Sequence, residues 1–367
     1  MDKLSELKLT DDEMRKIPNT ISVVRQVTET HPNLGVRVAF NKLCDIANIG
    51  CMNVGIQGCG KSASLHGVMS LQHRLIFQKK FTLAASKRFS KTFSNTELSW
   101  ICLEMSDLSD IVMENMFRVV GDLIYDHYCE INTSSYVCNI QNSYISFLAA
   151  CTYEIFNKMW QLVTWRGTTK DRVARYFVFA YNLDMNRINL DKPAPKITIN
   201  FPNIDTIKVD TSYFEEIVEM LTSQFSPQRA FDYSNRLLKA SASINHQHVA
   251  TDADAKFILL NRPNIEAEKW ASSKKSISSP LVIDTDALQL LSEALINNGV
   301  SMQALAKKET LIGGISSILT SVYRYPKLFT RIEDWVFARA ELIRDNIAPQ
   351  IAFEKRCLKE GTKYYLR

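Results

Sequence analysis

The sequence predicts an α/β protein in which helices flank a parallel β-sheet. Four apolar stretches have the length and continuous hydrophobicity of buried parallel strands. Helical patterns lie between them, and strands that alternate with helices favour a parallel sheet. The predicted strands are IGCMNVGI (49–56), SWICLE (99–104), SYISFLAAC (143–151) and RYFVFAYNL (175–183).

Helical patterns also lie on both sides of this sheet domain, which is predicted over 49–190. The first 48 residues are predicted to be helical, because Thr10 and Glu13 form a capping box and apolar residues recur at helical spacing through VRVAFNKLCDIAN. Prolines at 193, 195 and 202 indicate a connector. Helical periodicity returns over 204–275. A further module is predicted over 283–345 and a tail over 346–367.

Composition excludes several classes of protein. The 367 residues are 46% hydrophobic and 23% charged, which is typical of a globular protein and not of a disordered one. No apolar run approaches the roughly 20 residues of a membrane span, and the N-terminus lacks an apolar signal sequence. We therefore expect a cytoplasmic protein without a membrane partner. The net charge of +5 is compatible with a nucleic-acid partner but is not diagnostic of one.

The eight cysteines indicate buried thiols and not disulfides or a metal centre. They are scattered, without a CxxC motif or a zinc-like spacing with histidine. Several lie in apolar runs, which favours free thiols in a reducing compartment. The nearest approach to a ligand pair, His246 and His248, is interpreted as a loop after a helix.

The most specific motif is GIQGCGKS, residues 55–62, which fits the P-loop pattern G-x-x-x-x-G-K-[ST]. A predicted strand runs into it and a predicted helix follows it. The glycines allow successive backbone N–H groups to point at phosphates, Lys61 adds a positive charge, and Ser62 can ligate Mg²⁺. The motif predicts a site for ATP and Mg²⁺. Its binding residues are Gly55, Gly58, Cys59, Gly60, Lys61, Ser62 and Ala63.

A P-loop enzyme also needs an acidic residue at the end of a neighbouring strand. Glu104, which ends the second predicted strand, is the candidate metal ligand and base, with Asp107 as its helper. Met105 occupies the next position, where a second carboxylate is usual, so hydrolysis could be slow. The alternative is a strand-end carboxylate without a catalytic role. Thr152 ends the next strand, where its hydroxyl could orient the attacking water, cap a helix, or do both.

The order of these motifs resembles that of AAA+ ATPases. In this resemblance Thr152 takes the sensor-1 position, and DRVARYF (171–177) is similar to the segment that presents an arginine finger. The resemblance implies that Arg175, or else Arg172, reaches the γ-phosphate bound by a neighbouring subunit. It therefore implies self-association into a ring, expected to be a hexamer. The alternative for Arg175 is a surface ion pair.

The helical segment after the prolines is similar to the lid of minichromosome maintenance helicases. In that family an arginine at the start of a lid helix acts as sensor 2, and Arg229 in SPQRAFDYSNRLLKASA (226–242) matches it. VATDAD (249–254) matches the start of a later lid helix. The likeness covers roughly residues 30–345. Because only 48 residues precede the first predicted strand, we expect a compact version, such as those of prokaryotic plasmids, viruses or transposable elements.

Three segments are candidates for contact with DNA. Between residues 70 and 96, basic residues interleave with phenylalanines at helical spacing, which fits a core better than a stacking platform. A hairpin predicted over 129–147 matches the position of a pore loop. The module at 283–345 has the helix order of a winged helix, with Ser316, Thr320 and Arg324 expected in the major groove. The alternative for this module is a helical bundle that makes subunit contacts.

The leading prediction is an oligomeric, Mg²⁺/ATP-dependent AAA+ ATPase that acts on DNA as a replication helicase or translocase. The alternative is an ATP-gated DNA-binding switch, such as an initiator or a transposition or partition regulator. A third hypothesis is a signalling ATPase whose C-terminal module binds protein. The predicted catalytic residues are Lys61, Glu104, Asp107, Thr152, Arg175 and Arg229, and the predicted metal ligands are Ser62 and Glu104.

Overall fold

The computed structural model describes residues 9–31, 34–55, 59–68, 74–77, 86–105, 108–132, 137–167, 169–178 and 203–272. The connector around Pro193, the module predicted at 283–345 and the tail at 346–367 lie outside these residues. The same is true of two predicted site residues, Gly58 and Asp107.

The described helices are α1 (Asp11–Lys16), α2 (Pro18–Thr30), α3 (Gly35–Ile46), α4 (Lys61–Val68), α5 (Ser86–Phe93), α6 (Asp110–Asp126), α7 (Tyr153–Met159), α8 (Val163–Gly167), α9 (Phe214–Thr222), α10 (Pro227–Ile244), α11 (Asp252–Leu259) and α12 (Arg262–Ser272). The described strands are β1 (Gly50–Gly55), β2 (Arg74–Phe77), β3 (Thr96–Cys102), β4 (Cys129–Asn132), β5 (Val137–Ile140), β6 (Ser143–Cys151), β7 (Val173–Val178), β8 (Lys208–Val209) and β9 (Val249–Ala250).

A five-stranded parallel sheet in the order β2-β3-β6-β1-β7 forms the centre of the fold. The predicted α/β class with a central parallel sheet is therefore confirmed, and the arrangement is compatible with a P-loop fold. All four predicted strands belong to this sheet. The last of them begins two residues earlier than predicted, and its part beyond residue 178 lies outside the described residues.

Strand β2 was not predicted. It lies within the segment from residue 70 to 96, where the spacing of the phenylalanines is helical. The helical interpretation is wrong for Phe77, which lies on this strand. Phe93, at the end of α5, does lie in the core: it is fully buried and packs edge-on against Trp100 at 5.2 Å between ring centroids. A core role for this phenylalanine, and not a base-stacking role, is confirmed.

The N-terminal helices begin as the sequence predicts and pack against the helices that follow the connector. At the start of α1, the Glu13 N–H donates to Thr10 Oγ1 at 3.3 Å and the Thr10 N–H donates to Glu13 Oε2 at 2.8 Å, which is the predicted capping box. At the start of α2, Asn245 Oδ1 accepts from the N–H groups of Asn19 and Thr20. A residue from the end of α10 therefore satisfies the first turn of α2.

The helices after the connector cover the β7 edge of the sheet. Gln224 accepts a hydrogen bond from the Arg175 N–H at 2.7 Å and donates to the Arg175 carbonyl at 2.6 Å. Asn264 donates to the Phe177 carbonyl at 2.6 Å. Because an uncovered edge strand invites pairing with other chains, these side chains both satisfy the edge and fix α9 and α12 against it.

Strands β4 and β5 form the predicted antiparallel hairpin, whose tip at 133–136 lies outside the described residues. The hairpin precedes β6 and therefore lies at the amino edge of the sheet, opposite the end of β1 that leads into the GKS motif. His246 and His248 are exposed in the loop after α10, as predicted. Across the described helices, none combines the length and the hydrophobicity needed to cross a bilayer.

Candidate phosphate-binding site

The GIQGCGKS segment joins the carboxyl end of β1 to the first residue of α4, as the motif predicts. At two positions of this segment the structure favours glycine over a residue with a side chain. A Cβ atom on Gly55 would lie 2.7 Å from the Val178 carbonyl oxygen and 2.9 Å from Cys59 Sγ. Gly60 has a φ of +74°, a conformation that side chains disfavour. At these two described positions the backbone approaches its neighbours closely or has a positive φ, as a phosphate-binding loop requires.

Lys61 lies inside the loop at the carboxyl edge of the sheet. Its side chain is buried, and its Nζ donates to the Gly55 carbonyl at 2.9 Å. Cys59 Sγ is 3.8 Å from the same nitrogen. Burial raises the pKa of the Cys151 thiol, at the end of β6, to about 12, and the nearby Lys61 ammonium opposes this shift. The ammonium group therefore lies where the ends of β1 and β6 meet.

Ser62 connects the start of α4 to the end of β3. Its hydroxyl donates to the Leu103 carbonyl at 2.8 Å, one residue before Glu104. Glu104 is exposed, whereas Met105 is fully buried. The structure thus brings two predicted metal ligands, Ser62 and Glu104, to the same corner of the sheet edge. A hydroxyl and a carboxylate are oxygen donors of the kind that Mg²⁺ prefers, so the chemistry of the set fits this ion.

Thr152 follows β6 directly and begins α7. Its Oγ1 accepts from the Ile155 N–H at 3.4 Å, so the predicted N-cap is confirmed. Since β6 lies between β1 and β3 in the sheet, Thr152 lies between the phosphate loop and Glu104 along the carboxyl edge. Its side chain is only half-buried. The position is the one that a residue orienting water beside both groups would occupy.

Arg175 is not placed as predicted. It lies on β7 with its side chain 1% exposed, and its Nε is 2.6 Å from Glu268 Oε2. Its Nη2 also donates to Glu268 Oε1 at 2.9 Å, and its two Nη groups donate to the backbone carbonyls of Lys170, Val173 and Gln224. A guanidinium that is buried and fully bonded cannot reach a neighbouring subunit, so the prediction of an arginine finger at this residue is wrong. The alternative of a surface ion pair is also wrong, because the pair is internal.

Arg229 is also displaced from the site. It contacts Asp171 at 3.5 Å and stacks over the Tyr125 ring at 4.1 Å. Asp171 precedes β7, whose first residue pairs with Gly50 at the start of β1. The loop begins five residues further along β1, roughly 17 Å away at the usual strand rise. Arg229 therefore lies at the amino edge of the sheet, and the sensor-2 prediction is wrong for this arrangement.

Arg172, the other candidate finger, lies at the same amino edge. Its Nη1 is 3.8 Å from Asp122 Oδ1 and 3.7 Å from Asp126 Oδ2, and it also donates to the Gly121 carbonyl. Arg172 is thus bonded within its own chain, on the side of the sheet away from the GKS motif.

Sequence reasoning missed a buried polar row on α3. Residues Arg37, Asn41 and Asp45 are spaced four apart, so they share one face of the helix, and all three are buried. Asn41 exchanges hydrogen bonds with Asn53 of β1. Asp45 accepts from Ser99 of β3 at 2.5 Å and from Ser146 of β6. The four-residue spacing of these polar residues could have shown that they share one face of α3. A polar helix face, however, ordinarily indicates exposure to solvent.

At the loop end of this row, Arg37 Nη1 and Nη2 donate to the Cys59 carbonyl at 3.4 and 3.3 Å. Burial lowers the pKa of the Arg37 guanidinium. Helix α3 is therefore joined by polar contacts to the loop and to three strands of the sheet.

The described thiols are buried, as the sequence predicts, and form no disulfide with one another. They are Cys44, Cys51, Cys59, Cys102, Cys129 and Cys151. Within the described ranges, no group of three or more histidine, cysteine or acidic side chains is arranged to hold a metal ion.

The sequence matches no model of a known protein family, and no curated protein matches it significantly.

Proposed function

We propose that the protein is a P-loop ATPase that binds ATP with Mg²⁺ at the carboxyl edge of its sheet. The observation that supports this most strongly is the junction of the GKS motif with the end of β3. Lys61 is buried beneath the loop, and Ser62 is hydrogen-bonded one residue before Glu104. A cation, a hydroxyl and a carboxylate thus converge beside Gly55, where a Cβ atom would clash with the Val178 carbonyl, and Gly60, whose φ is positive.

Each residue of the site then has a defined role. The loop backbone and the first turn of α4 bind the phosphates, and Lys61 stabilises their charge. Ser62 and Glu104 would hold Mg²⁺, which neutralises phosphate charge when bound. Glu104 polarises the attacking water, and Thr152 orients it from the adjacent strand end. Asp107 remains a candidate helper that lies outside the described residues.

Replacing Lys61 with alanine tests this function. The variant should lose ATP binding and turnover, since it removes the positive charge nearest the loop. Lys158→Ala is the matched control, because Lys158 is exposed on α7 and pairs with Glu154 in the same helix. The two variants should unfold at similar temperatures. Unchanged ATP turnover in Lys61→Ala would contradict the assignment.

For the wider role we propose an ATP-gated, DNA-binding switch in preference to a translocating motor. Two observations favour it. Met105 is buried where a second carboxylate is usual, and Arg175 is committed to an internal ion pair. Rapid hydrolysis that is coupled between subunits would need a carboxylate in place of Met105 and an arginine free to reach the neighbouring subunit. The motor, a replication helicase or translocase of the AAA+ class, remains the second candidate because the order of motifs resembles that class.

A strand-displacement assay on a forked duplex separates these candidates. A switch should bind duplex DNA more tightly with ATP and should not unwind it, whereas a motor should unwind it with ATP. Binding is measured over a range of salt concentrations, because contacts to phosphate weaken steeply with salt. Absence of any DNA affinity would favour the signalling ATPase. Mass measurement with and without ATP and DNA tests whether the protein self-associates into the ring that the AAA+ resemblance implies.

A further inference from the structure

Arg37 is a buried cation that the proposed catalytic residues do not include. Its side chain is 3% exposed, and its two hydrogen bonds both go to one acceptor, the Cys59 carbonyl, at 3.3 and 3.4 Å. Among the described residues no carboxylate forms an ion pair with it, and its electrostatic neighbours are Cys59 and Tyr176. A guanidinium has five donors and is ordinarily buried only with an acidic partner.

The cation lies directly behind the phosphate loop. A Cβ atom on Gly60 would be 3.5 Å from Arg37 Nη2, so the guanidinium is in van der Waals range of the loop backbone. The Cys59 carbonyl and the Gly60 N–H belong to one trans peptide, in which they point in opposite directions. Because the carbonyl points at Arg37, the Gly60 N–H points away from α3. The contact therefore fixes the direction of one loop donor.

The α3 helix holds Arg37 rigidly in this place. Asn41, one turn further along, is paired with Asn53 of β1, and Asp45 is held by Ser99 and Ser146. These bonds anchor the helix to the strands that lead into the loop and to its neighbours. Arg37 thus has a fixed position, which a long side chain on a solvent-exposed helix would not have.

We propose that Arg37 is a positioning residue for the phosphates of a bound nucleotide, holding the Cys59–Gly60 peptide so that its N–H can face the anion and supplying positive charge from behind the loop. The proposal rests on the proposed function, because it concerns the same site. A buried cation with no acidic partner is unfavourable by itself. A phosphate group near the loop supplies the missing negative charge, so the favourable effect of Arg37 should appear only when phosphate is bound.

The test compares ATP, ADP and adenosine binding by titration calorimetry for the full chain and the variants Arg37→Met, Arg37→Lys and Lys61→Ala. Arg236→Met is the matched control. Arg236 also donates to a backbone carbonyl, that of Asn48, but this residue precedes the start of β1, at the end of the strand away from the phosphate loop. We expect Arg37→Met to weaken ATP binding by roughly 10- to 100-fold, the range of a lost charge-assisted hydrogen bond. ADP binding should weaken less, and adenosine binding and Arg236→Met should be unaffected.

Thermal unfolding separates positioning from a merely structural role. Without nucleotide, Arg37→Met should be as stable as the wild type or more stable, while the increase in melting temperature caused by ATP should be smaller. A variant that loses stability without nucleotide and binds ATP normally would overturn the proposal. Arg37→Lys keeps the charge but not the two-donor geometry, so it should show an intermediate affinity. If Arg37→Met does not fold, unchanged ATP affinity in Arg37→Lys would overturn the proposal.

The failures of the two proposals are distinguishable. If the wild type binds no ATP, the proposed function is wrong and the role of Arg37 falls with it. If the wild type binds ATP, Lys61→Ala does not, and Arg37→Met binds as the wild type does, the site is correct and only the role of Arg37 is wrong.

Discussion

The guanidinium of Arg175 and the carboxylate of Glu268 form a bidentate ion pair inside the protein. Arg175 Nε lies 2.6 Å from Oε2 and Nη2 lies 2.9 Å from Oε1, and both side chains are almost entirely buried. The pair joins β7 to α12. Arg175, which the AAA+ resemblance presents as an arginine finger, therefore serves to hold α12 against the sheet.

Breaking this pair on one side should destabilise the protein strongly. Arg175→Met leaves the Glu268 carboxylate buried without its cation, which typically costs about 3–5 kcal/mol of unfolding free energy. Urea denaturation measures the loss. Lys158→Met removes an exposed i,i+4 pair and should cost no more than about 0.5 kcal/mol. Replacing both Arg175 and Glu268 with methionine should recover part of the stability. A stable Arg175→Met that had lost only ATP hydrolysis would instead support the arginine finger.

Alanine at Gly55 or at Gly60 of the loop should destabilise the protein, for a different reason at each position. Gly55→Ala places a Cβ atom 2.7 Å from the Val178 carbonyl oxygen, and this overpacking should cost about 1–3 kcal/mol. Gly60→Ala meets Leu34 at 3.2 Å and must hold φ at +74°, which should cost about 1–2 kcal/mol. Both changes should weaken ATP binding. Gly167→Ala is the control: beyond its own helix, a Cβ atom there would meet no atom within 4 Å, so the substitution should be neutral or slightly stabilising.

Equal effects of these three substitutions in thermal unfolding would contradict the close backbone approach. Loss of stability without loss of ATP affinity at Gly55 and Gly60 would show that the loop serves only as a turn.

The sequence was sufficient where the signal is local. Continuous apolar runs predicted the strands ending at Gly55, Cys102 and Cys151, because a parallel sheet buried on both faces needs them. The loop was predictable because its glycines and Lys61 are adjacent in the chain. Parallel strands bring their carboxyl ends to one edge, so the meeting of Ser62 with the residues before Glu104 followed from the same reasoning.

The errors concern contacts between segments far apart in the chain. The partner of Arg175 is 93 residues away, and no local pattern shows that α12 lies against β7. The helix of Arg229 was predicted correctly, but its place at the amino edge of the sheet depends on contacts with Tyr125 of α6 and with Asp171, which lie far earlier in the chain. Arg37 was missed for the related reason that polar residues at helical spacing are usually exposed, whereas α3 is buried between the sheet and neighbouring helices.

Lys42 should make stability depend on pH in the alkaline range. Its side chain is 1% exposed, and burial lowers its pKa to about 8, opposed by the nearby Asp45 carboxylate. The unfolded chain titrates near pH 10.4. Between these values the unfolded state binds more protons than the folded state, so the contribution of Lys42 to stability rises with pH. Below pH 8 both states are protonated, and the group adds no slope.

Lys42→Met removes this titration. We expect the variant to gain stability relative to the wild type at pH 7, and this advantage to shrink by up to roughly 3 kcal/mol by pH 10.5. Urea denaturation of both proteins from pH 7 to 10.5 gives the difference, in which the other titrating groups cancel. A difference that stays constant with pH would show that the folded-state pKa of Lys42 is not lowered.

Thr152 can be tested for two roles at once. Thr152→Ala removes the hydroxyl that accepts from the Ile155 N–H, so it should cost about 1 kcal/mol of unfolding free energy as a lost N-cap. If the hydroxyl also orients water, ATP hydrolysis should slow while ATP binding persists. Thr152→Ser keeps the hydroxyl and should retain both properties. Normal hydrolysis by a destabilised Thr152→Ala would reduce the residue to its capping role.

Glu104→Gln tests whether the exposed carboxylate at the end of β3 has a catalytic role. The side chain is exposed, so the substitution should change the unfolding free energy by no more than about 0.5 kcal/mol. ATP binding should remain, because the loop and Lys61 bind the phosphates. The rate of hydrolysis should fall by roughly 10²- to 10⁴-fold, as expected when a general base is lost. Glu154→Gln, on an exposed position of α7, is the control. If single-turnover measurements show the same hydrolysis rate for Glu104→Gln as for this control, the base must come from another residue, and Asp107 becomes the first to replace.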